Sequence, residues 1–240
     1  MKKLNKMQKK KSILVLLLTF LLVNKYSFSD EIDQKIKDFI LKNPEVIIES
    51  LNNLEKQKET EKRLQNKKKI EELSELIFDS NSFTYQGDSS SNKVIVEFFD
   101  YNCSYCKRAH KDIKTVLKKI PNAKIIYKNF PILSESSVIL AKYAIILSRM
   151  DNKKFLKFHD FIISLKGRVN DKHLNEIFNE LNIIKSKIDA KLNDKQIIEI
   201  LEKDIGLAQE LGLRGTPAFI IKDEIIFGYI SSEDILSKLN

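Results

Sequence analysis

Apolar residues recur along this chain in three rhythms, each predicting a different element. The first is an almost continuous run, Ile13 to Val23, preceded by lysines. The second has helical spacing: Ile32, Ile36, Phe39 and Ile40 fall at i, i+4, i+7 and i+8, and after Asn43-Pro44 the stripe resumes at Ile47, Ile48, Leu51 and Leu54. That spacing predicts two short helices meeting at Pro44. From Glu55 to Glu72 only Leu64 and Ile70 are apolar, so the segment reads as a solvated charged helix or a weak coiled coil. The third rhythm is the continuous β-rich run Val94 to Phe99, which fits a strand covered on both faces. Phe83 to Gln86 is a short candidate strand before it. A helix is expected from Cys103 to Ile120, broken by Pro121-Asn122, and then a strand from Lys124 to Asn129, giving a β-α-β order with parallel strands.

From Ser134 to about Leu211 only helical stripes appear: Ala141, Ala144, Ile145 and Leu147, then Phe155, Phe158, Ile162 and Ile163, then Leu174, Ile177, Phe178 and Leu181, and a last one through Ile197, Ile198, Leu201, Ile205 and Leu207. Ala218 to Ile221 and Ile225 to Tyr229 flank Lys222-Asp223-Glu224 as a hairpin. Ser232 to Leu239 reads as a terminal helix capped by Ser231 or Ser232.

Charge changes the reading of the ends. Residues 1–29 combine a lysine-rich start, an almost continuously apolar stretch of eleven residues and Ser27-Phe28-Ser29, the pattern of a secretory signal peptide cleaved after Ser29. A stretch of eleven residues falls short of the ~20 that cross a bilayer; an uncleaved anchor facing the periplasm is the rival reading. The whole chain carries +9, yet without the seven lysines of this leader 35 basic residues face 33 acidic ones, a net of +2. The basic balance therefore argues for no nucleic-acid partner. The apolar stripe of residues 30–60, far from any core in sequence, points to a partner chain, and a homo-oligomer through residues 30–60 is expected.

The cysteine inventory is one pair, Cys103 and Cys106, three residues apart at the start of a helix. Such thiols can form a small, reducible disulfide. The free N–H groups and positive dipole end of the helix stabilise a thiolate on the first of them. An exported protein with a single pair is more apt to use it as a tool than as a brace. A closed zinc site needs about four ligands, and the chain has three histidines: His110 reads as solvent-facing, and His159 and His173 have no ligand spacing. No metal site is therefore assigned. Two alternatives stay open: a metal-handling envelope protein holding copper(I) on Cys103, Cys106 and His110, and a non-catalytic envelope protein with a vestigial disulfide.

With Glu97-Phe98-Phe99, Cys103-Ser104-Tyr105-Cys106 and Gly212-Leu213-Arg214-Gly215-Thr216-Pro217-Ala218-Phe219 in this order, the chain from about Phe83 to Asn240 resembles the DsbA-like thiol:disulfide oxidoreductases. Ile40-Leu41-Lys42-Asn43-Pro44-Glu45-Val46 and the charged helix after it resemble the oligomerising stalk of ScsC-like and DsbC-functional members. The resemblance implies an α/β thioredoxin-like fold with an inserted α-helical domain (about 134–211) in a catalytic domain of residues 79–240, after a stalk of residues 30–78. It implies exchange of disulfides with cysteine-containing client proteins, as isomerase or oxidase, in the periplasm, with a membrane redox partner and no cofactor. It makes Cys103 the nucleophile and Cys106 the resolving thiol. Pro217 becomes a cis-proline beside them, and the Thr216 backbone a place to pair with substrate. Glu97 becomes a buried acid acting through water as base toward Cys106, with Lys128 balancing its charge. The dipeptide Ser104-Tyr105 departs from strongly oxidising members, since no imidazole in the motif helps stabilise the thiolate.

Overall fold

The computed structural model describes residues 31–79 and 84–239; the expected leader at 1–29 and the strand start at Phe83 lie outside them. The chain forms two compact units divided between Glu61 and Lys62. In the first, helix α1 (31–42) stops where the Asn43 side chain donates to the Phe39 carbonyl at 2.8 Å. Pro44 then opens α2 (Glu45–Glu72), in a first-turn position where its missing N–H leaves nothing unpaired. Ile32, Ile36, Phe39, Ile47, Leu51 and Leu54 are all exposed along these helices.

The second unit is built on a five-stranded sheet in the order β1-β3-β2-β4-β5. Its strands are β1 (Tyr85–Gly87), β2 (Lys93–Phe99), β3 (Ala123–Asn129), β4 (Ala218–Ile221) and β5 (Glu224–Phe227). The short helix α3 (Ser74–Ile77) precedes them, and helix α4 (Ser104–Lys119) joins β2 to β3. The pair β2 and β3 is parallel, and every other pairing is antiparallel. The apolar run of β2 is continuous because both faces of this central strand are covered. Ile95 and Phe99 enter one core with Ile125, Tyr127 and Phe219. Val96 and Phe98 enter a second with Ile126, Ala218 and Ile220.

Residues 62–78, expected in the stalk, behave differently from the first stripe. Ile70 of α2 and Ile77 of α3 are buried in the second core. Three turns of charged helix thus dock through very few apolar side chains, and Lys69 adds a hydrogen bond to the Glu210 carbonyl. Between β3 and β4 come α5 (Glu135–Met150), α6 (Asn152–Ser164), α7 (Asp171–Glu180), α8 (Lys185–Asp189) and α9 (Lys195–Glu210). The last helix, α10 (Ser232–Leu239), begins where the Ser231 hydroxyl accepts from the Asp234 N–H.

Candidate active site

Cys103 is the N-cap of α4, extended in backbone (φ −77°, ψ 119°), so its sulfur faces the free N–H groups of the first turn. The Cys106 N–H donates to Cys103 Sγ at 3.4 Å, and the Cys103 thiol lies 3.2 Å from the Thr216 carbonyl oxygen. Both cysteines are free thiols; Cys103 is 6 % exposed and Cys106 1 %. Their environments pull their acidities apart. A hydrogen bond from the Cys106 thiol stabilises the Cys103 thiolate against the cost of burial, helped by Thr216 and by the N–H groups of Cys106 and Tyr105, and its pKa falls to about 6. Burial pushes the Cys106 thiol far up, and its hydrogen bond to Cys103 and the nearby Glu97 charge act in the same direction. The first sulfur therefore ionises far more readily than the second.

The Thr216–Pro217 peptide bond is cis, and it precedes β4, the neighbour of β2. Glu97 is 2 % exposed on the face of β2 shared with Phe99 and Tyr127. Burial raises its pKa well above the usual carboxylate range, and the Cys103 charge raises it further. These five residues, Glu97, Cys103, Cys106, Thr216 and Pro217, come together at one end of the sheet.

Lys128 does not balance Glu97. In the parallel register Glu97 lies opposite Tyr127, and Lys128 lies opposite Phe98, so it emerges on the other face of the sheet. There its ammonium is 3.6 Å from Asp204 of α9, whose second oxygen accepts from the Asn129 N–H at 2.8 Å. His110 is not solvent-facing either: it is 3 % exposed, and its Nε2 lies 3.0 Å from Asp160 of α6. That removes the third ligand on which the copper reading drew. His173 serves in the capping box of α7 with Asn170.

Two positioning residues escaped the sequence reading. Asp100, buried at the end of β2, accepts from the Asn102 N–H with one oxygen and from the Ile132 and Leu133 N–H groups with the other, at 2.8 to 3.0 Å. The Asn102 amide reaches the hydroxyls of Ser134, Ser136 and Ser137. Together they fasten the cysteine loop to the loop after β3. The signal for this was an aspartate two residues before the first free N–H of a turn. On the far side, Lys107 donates to the Leu165 and Gly167 carbonyls, both at 2.8 Å, and ties α4 to the end of α6.

Comparison with known proteins agrees with this geometry. The description DSBA-like thioredoxin domain matches residues 94–240, and the copper resistance protein ScsC N-terminal domain matches residues 30–61. The chain is similar to the thiol-disulfide exchange protein alpha-DsbA2 from Wolbachia pipientis: 28% identity, TM-score 0.68, covering 74% of this chain and 96% of that one. It is also similar to Proteus mirabilis ScsC in a compact conformation, with 28% identity, TM-score 0.60, and 84% of this chain and 99% of that one covered. Curated relatives include the Na(+)/H(+) antiporter NhaA of Herminiimonas arsenicoxydans, 22% identical over 165 residues and 64% of this chain. The chain spans about a quarter of the length of the curated relatives it matches.

Proposed function

The chain belongs to the DSBA-like thioredoxin family, and from that premise we propose that it is an exported protein disulfide isomerase working through Cys103. The observation that carries this reading is the placement of Cys103: a thiolate-stabilised sulfur at the head of α4, 3.2 Å from the Thr216 carbonyl. An isomerase must meet its client with the pair reduced. Stabilising the Cys103 thiolate favours that state.

In the reaction, the Cys103 thiolate attacks a client disulfide; one client sulfur leaves as thiolate, and the other is bonded to Cys103. The freed client thiolate either attacks a different client disulfide, until a final attack on the mixed bond releases Cys103, or is overtaken by Cys106. In the second case Cys106 gives its proton to Glu97 and attacks Cys103, which releases a reduced client and leaves the oxidised pair for a membrane redox partner to reduce. Thr216 offers backbone groups beside the sulfur to an extended client segment. Exposed Tyr105, Ile132 and Leu133 add apolar surface around it. No cofactor or nucleic acid enters this scheme. The leader-like residues 1–29 and the chemistry itself support a periplasmic location.

The exposed stripe of residues 30–60 is read as the oligomer contact, since several large aliphatics at ~1.5–3 kcal/mol each exceed what one isolated helix can leave in water without a partner. Deleting residues 30–60 tests the assignment. The shortened chain should sediment as a monomer, keep dithiol reductase activity and lose refolding of scrambled substrates. An intact mature chain that is monomeric at micromolar concentration removes the oligomer, and the isomerase preference with it, leaving net oxidation as the remaining reading.

A further inference from the structure

Arginine is scarce in this chain: five of its 42 basic residues. Three of the five, Arg108, Arg168 and Arg214, are exposed on the segments that frame Cys103. Arg214 lies two residues before Thr216, whose carbonyl oxygen is 3.2 Å from the Cys103 sulfur. Arg108, in the second turn of α4, lies over the Tyr229 ring at 4.1 Å, and the neighbouring Gly228 N–H donates to the Pro217 carbonyl at 2.9 Å. Lys166 and Arg168 flank Gly167, whose carbonyl accepts at 2.8 Å from Lys107, one turn of α4 beyond Cys103.

Residues 104–108, 165–170 and 212–216 together hold five cations, Lys107, Arg108, Lys166, Arg168 and Arg214, and no Asp or Glu. After the leader the chain is nearly balanced, 35 basic residues against 33 acidic, so this excess is local. Three carboxylates border these segments. Asp112 accepts from the Tyr229 hydroxyl and the Ser232 N–H, Asp171 occupies the first turn of α7, and Glu135 that of α5. The Arg168 and Arg214 guanidiniums have no ion pair or hydrogen bond among the described residues. A guanidinium is always charged and holds a carboxylate through two parallel N–H donors, a geometry that the point charge of lysine does not offer.

We infer that this rim selects client segments in which Asp or Glu flanks the reacting cysteine. The inference rests on Cys103 being the sulfur that attacks clients. An extended segment paired beside Thr216 brings its cysteine to Cys103. Its neighbouring residues, each advancing about 3.3 Å, then come within reach of Arg214, Arg108 and Arg168. The exchange step is unchanged: Cys103 bonds to one client sulfur, and the other leaves as thiolate. The rim raises the rate of encounter with acidic segments, and salt weakens its effect.

The test is the rate at which the intact reduced chain attacks three peptides whose single cysteine is blocked as a pyridyl disulfide. The peptides differ only in the residues flanking the cysteine: Asp and Glu, their amides Asn and Gln, or Lys. Attack by Cys103 on the peptide sulfur releases pyridinethione, read by its absorbance, and division by the rate with dithiothreitol removes each peptide's own reactivity. At low salt the acidic peptide should react about tenfold faster than the amide peptide, at the low end of electrostatic steering, and the lysine peptide slower than either. At ~1 M salt, where charges are screened beyond ~3 Å, the three rates should converge. Arg168→Glu and Arg214→Glu should each narrow the preference, and the double variant should reverse it toward the lysine peptide, a change that loosened folding does not produce. Should the double variant fail to fold, Arg168→Gln, outside the Thr216-Pro217 loop, carries the test through the ratio of acidic to amide rates. Equal corrected rates for the three peptides, or a preference that these variants leave in place, overturn the inference. If no peptide reacts, the exchange reading itself fails; if all three react alike, that reading stands and the selection alone falls.

Discussion

The two faces of the sheet each bury a carboxyl group, and they treat it in opposite ways. Asp204, under β3, has Lys128 at 3.6 Å and two donors from Asn129; burial raises its pKa, while the Lys128 charge and the Asn129 N–H groups pull it back. Glu97, on the cysteine side, has no such counter-ion among the described residues, and the charge that acts on it, the Cys103 thiolate, pushes the same way as burial. A buried acid with a counter-ion is a structural clamp between a strand and a helix. A buried acid without one keeps its proton to higher pH, because nothing offsets the cost of burying its charge.

The largest effects divide the faces by chemistry. Cys103→Ser should abolish disulfide exchange outright. Replacing the clamp on the other face as a pair, Lys128→Met with Asp204→Asn, should leave the exchange rate within about twofold, because distant sites are close to independent. Insulin reduction by the two proteins measures both. Cys106→Ser should instead accumulate Cys103 mixed disulfides with clients, visible on non-reducing gels.

Next comes Lys128→Met alone. It strands Asp204 in the second core, and breaking a buried pair from one side costs about 3–5 kcal/mol, read by denaturant unfolding. The double variant should recover most of that loss. A single variant as stable as the wild type would mean that Asp204 is not held as a charge, and the contrast between the faces would collapse.

A smaller effect is read at the sulfurs. Alkylation of the reduced protein should follow a titration centred at about 6 for Cys103, against the ordinary thiol value of 9.0, while Cys106 stays unreactive until far more alkaline conditions. Equal reactivity of both thiols at acid pH contradicts the separation of roles.

What the sequence disclosed and what it hid follow the same division. The central strand, its crossover helix, the cysteine pair and the hairpin were legible because each is written in local spacing: a continuous β-branched run, a two-residue gap between cysteines, an apolar run after Thr216-Pro217. Lys128 was misplaced because its face depends on the register between β2 and β3, and a shift of one residue exchanges the faces. His110 and His159 were unreadable for a different reason. Each lies on an amphipathic helix beside apolar residues, and only the docking of α6 on α4 turns both rings inward. Residues 62–78 were read as a polar extension because Ile70 and Ile77 are too sparse to form a stripe, yet two buried side chains suffice where a sheet face is already waiting.

The smallest effect concerns stability and pH, and it tests the unpartnered acid directly. Glu97 has a folded pKa raised above its unfolded value, near 4.5, so the folded state binds the extra proton between the two values. Its contribution to stability is fully present below the unfolded value and is lost as pH rises through the folded one. Each unit of separation corresponds to about 1.4 kcal/mol. The substitution Glu97→Gln keeps the shape without the charge, so the variant should match the wild type below the unfolded value and become the more stable of the two as pH rises from there through the folded one. Thermal unfolding of both proteins across that range measures the divergence. Parallel curves would show that Glu97 is neutralised by something in the folded protein, and that its face of the sheet is built no differently from the one that holds Asp204.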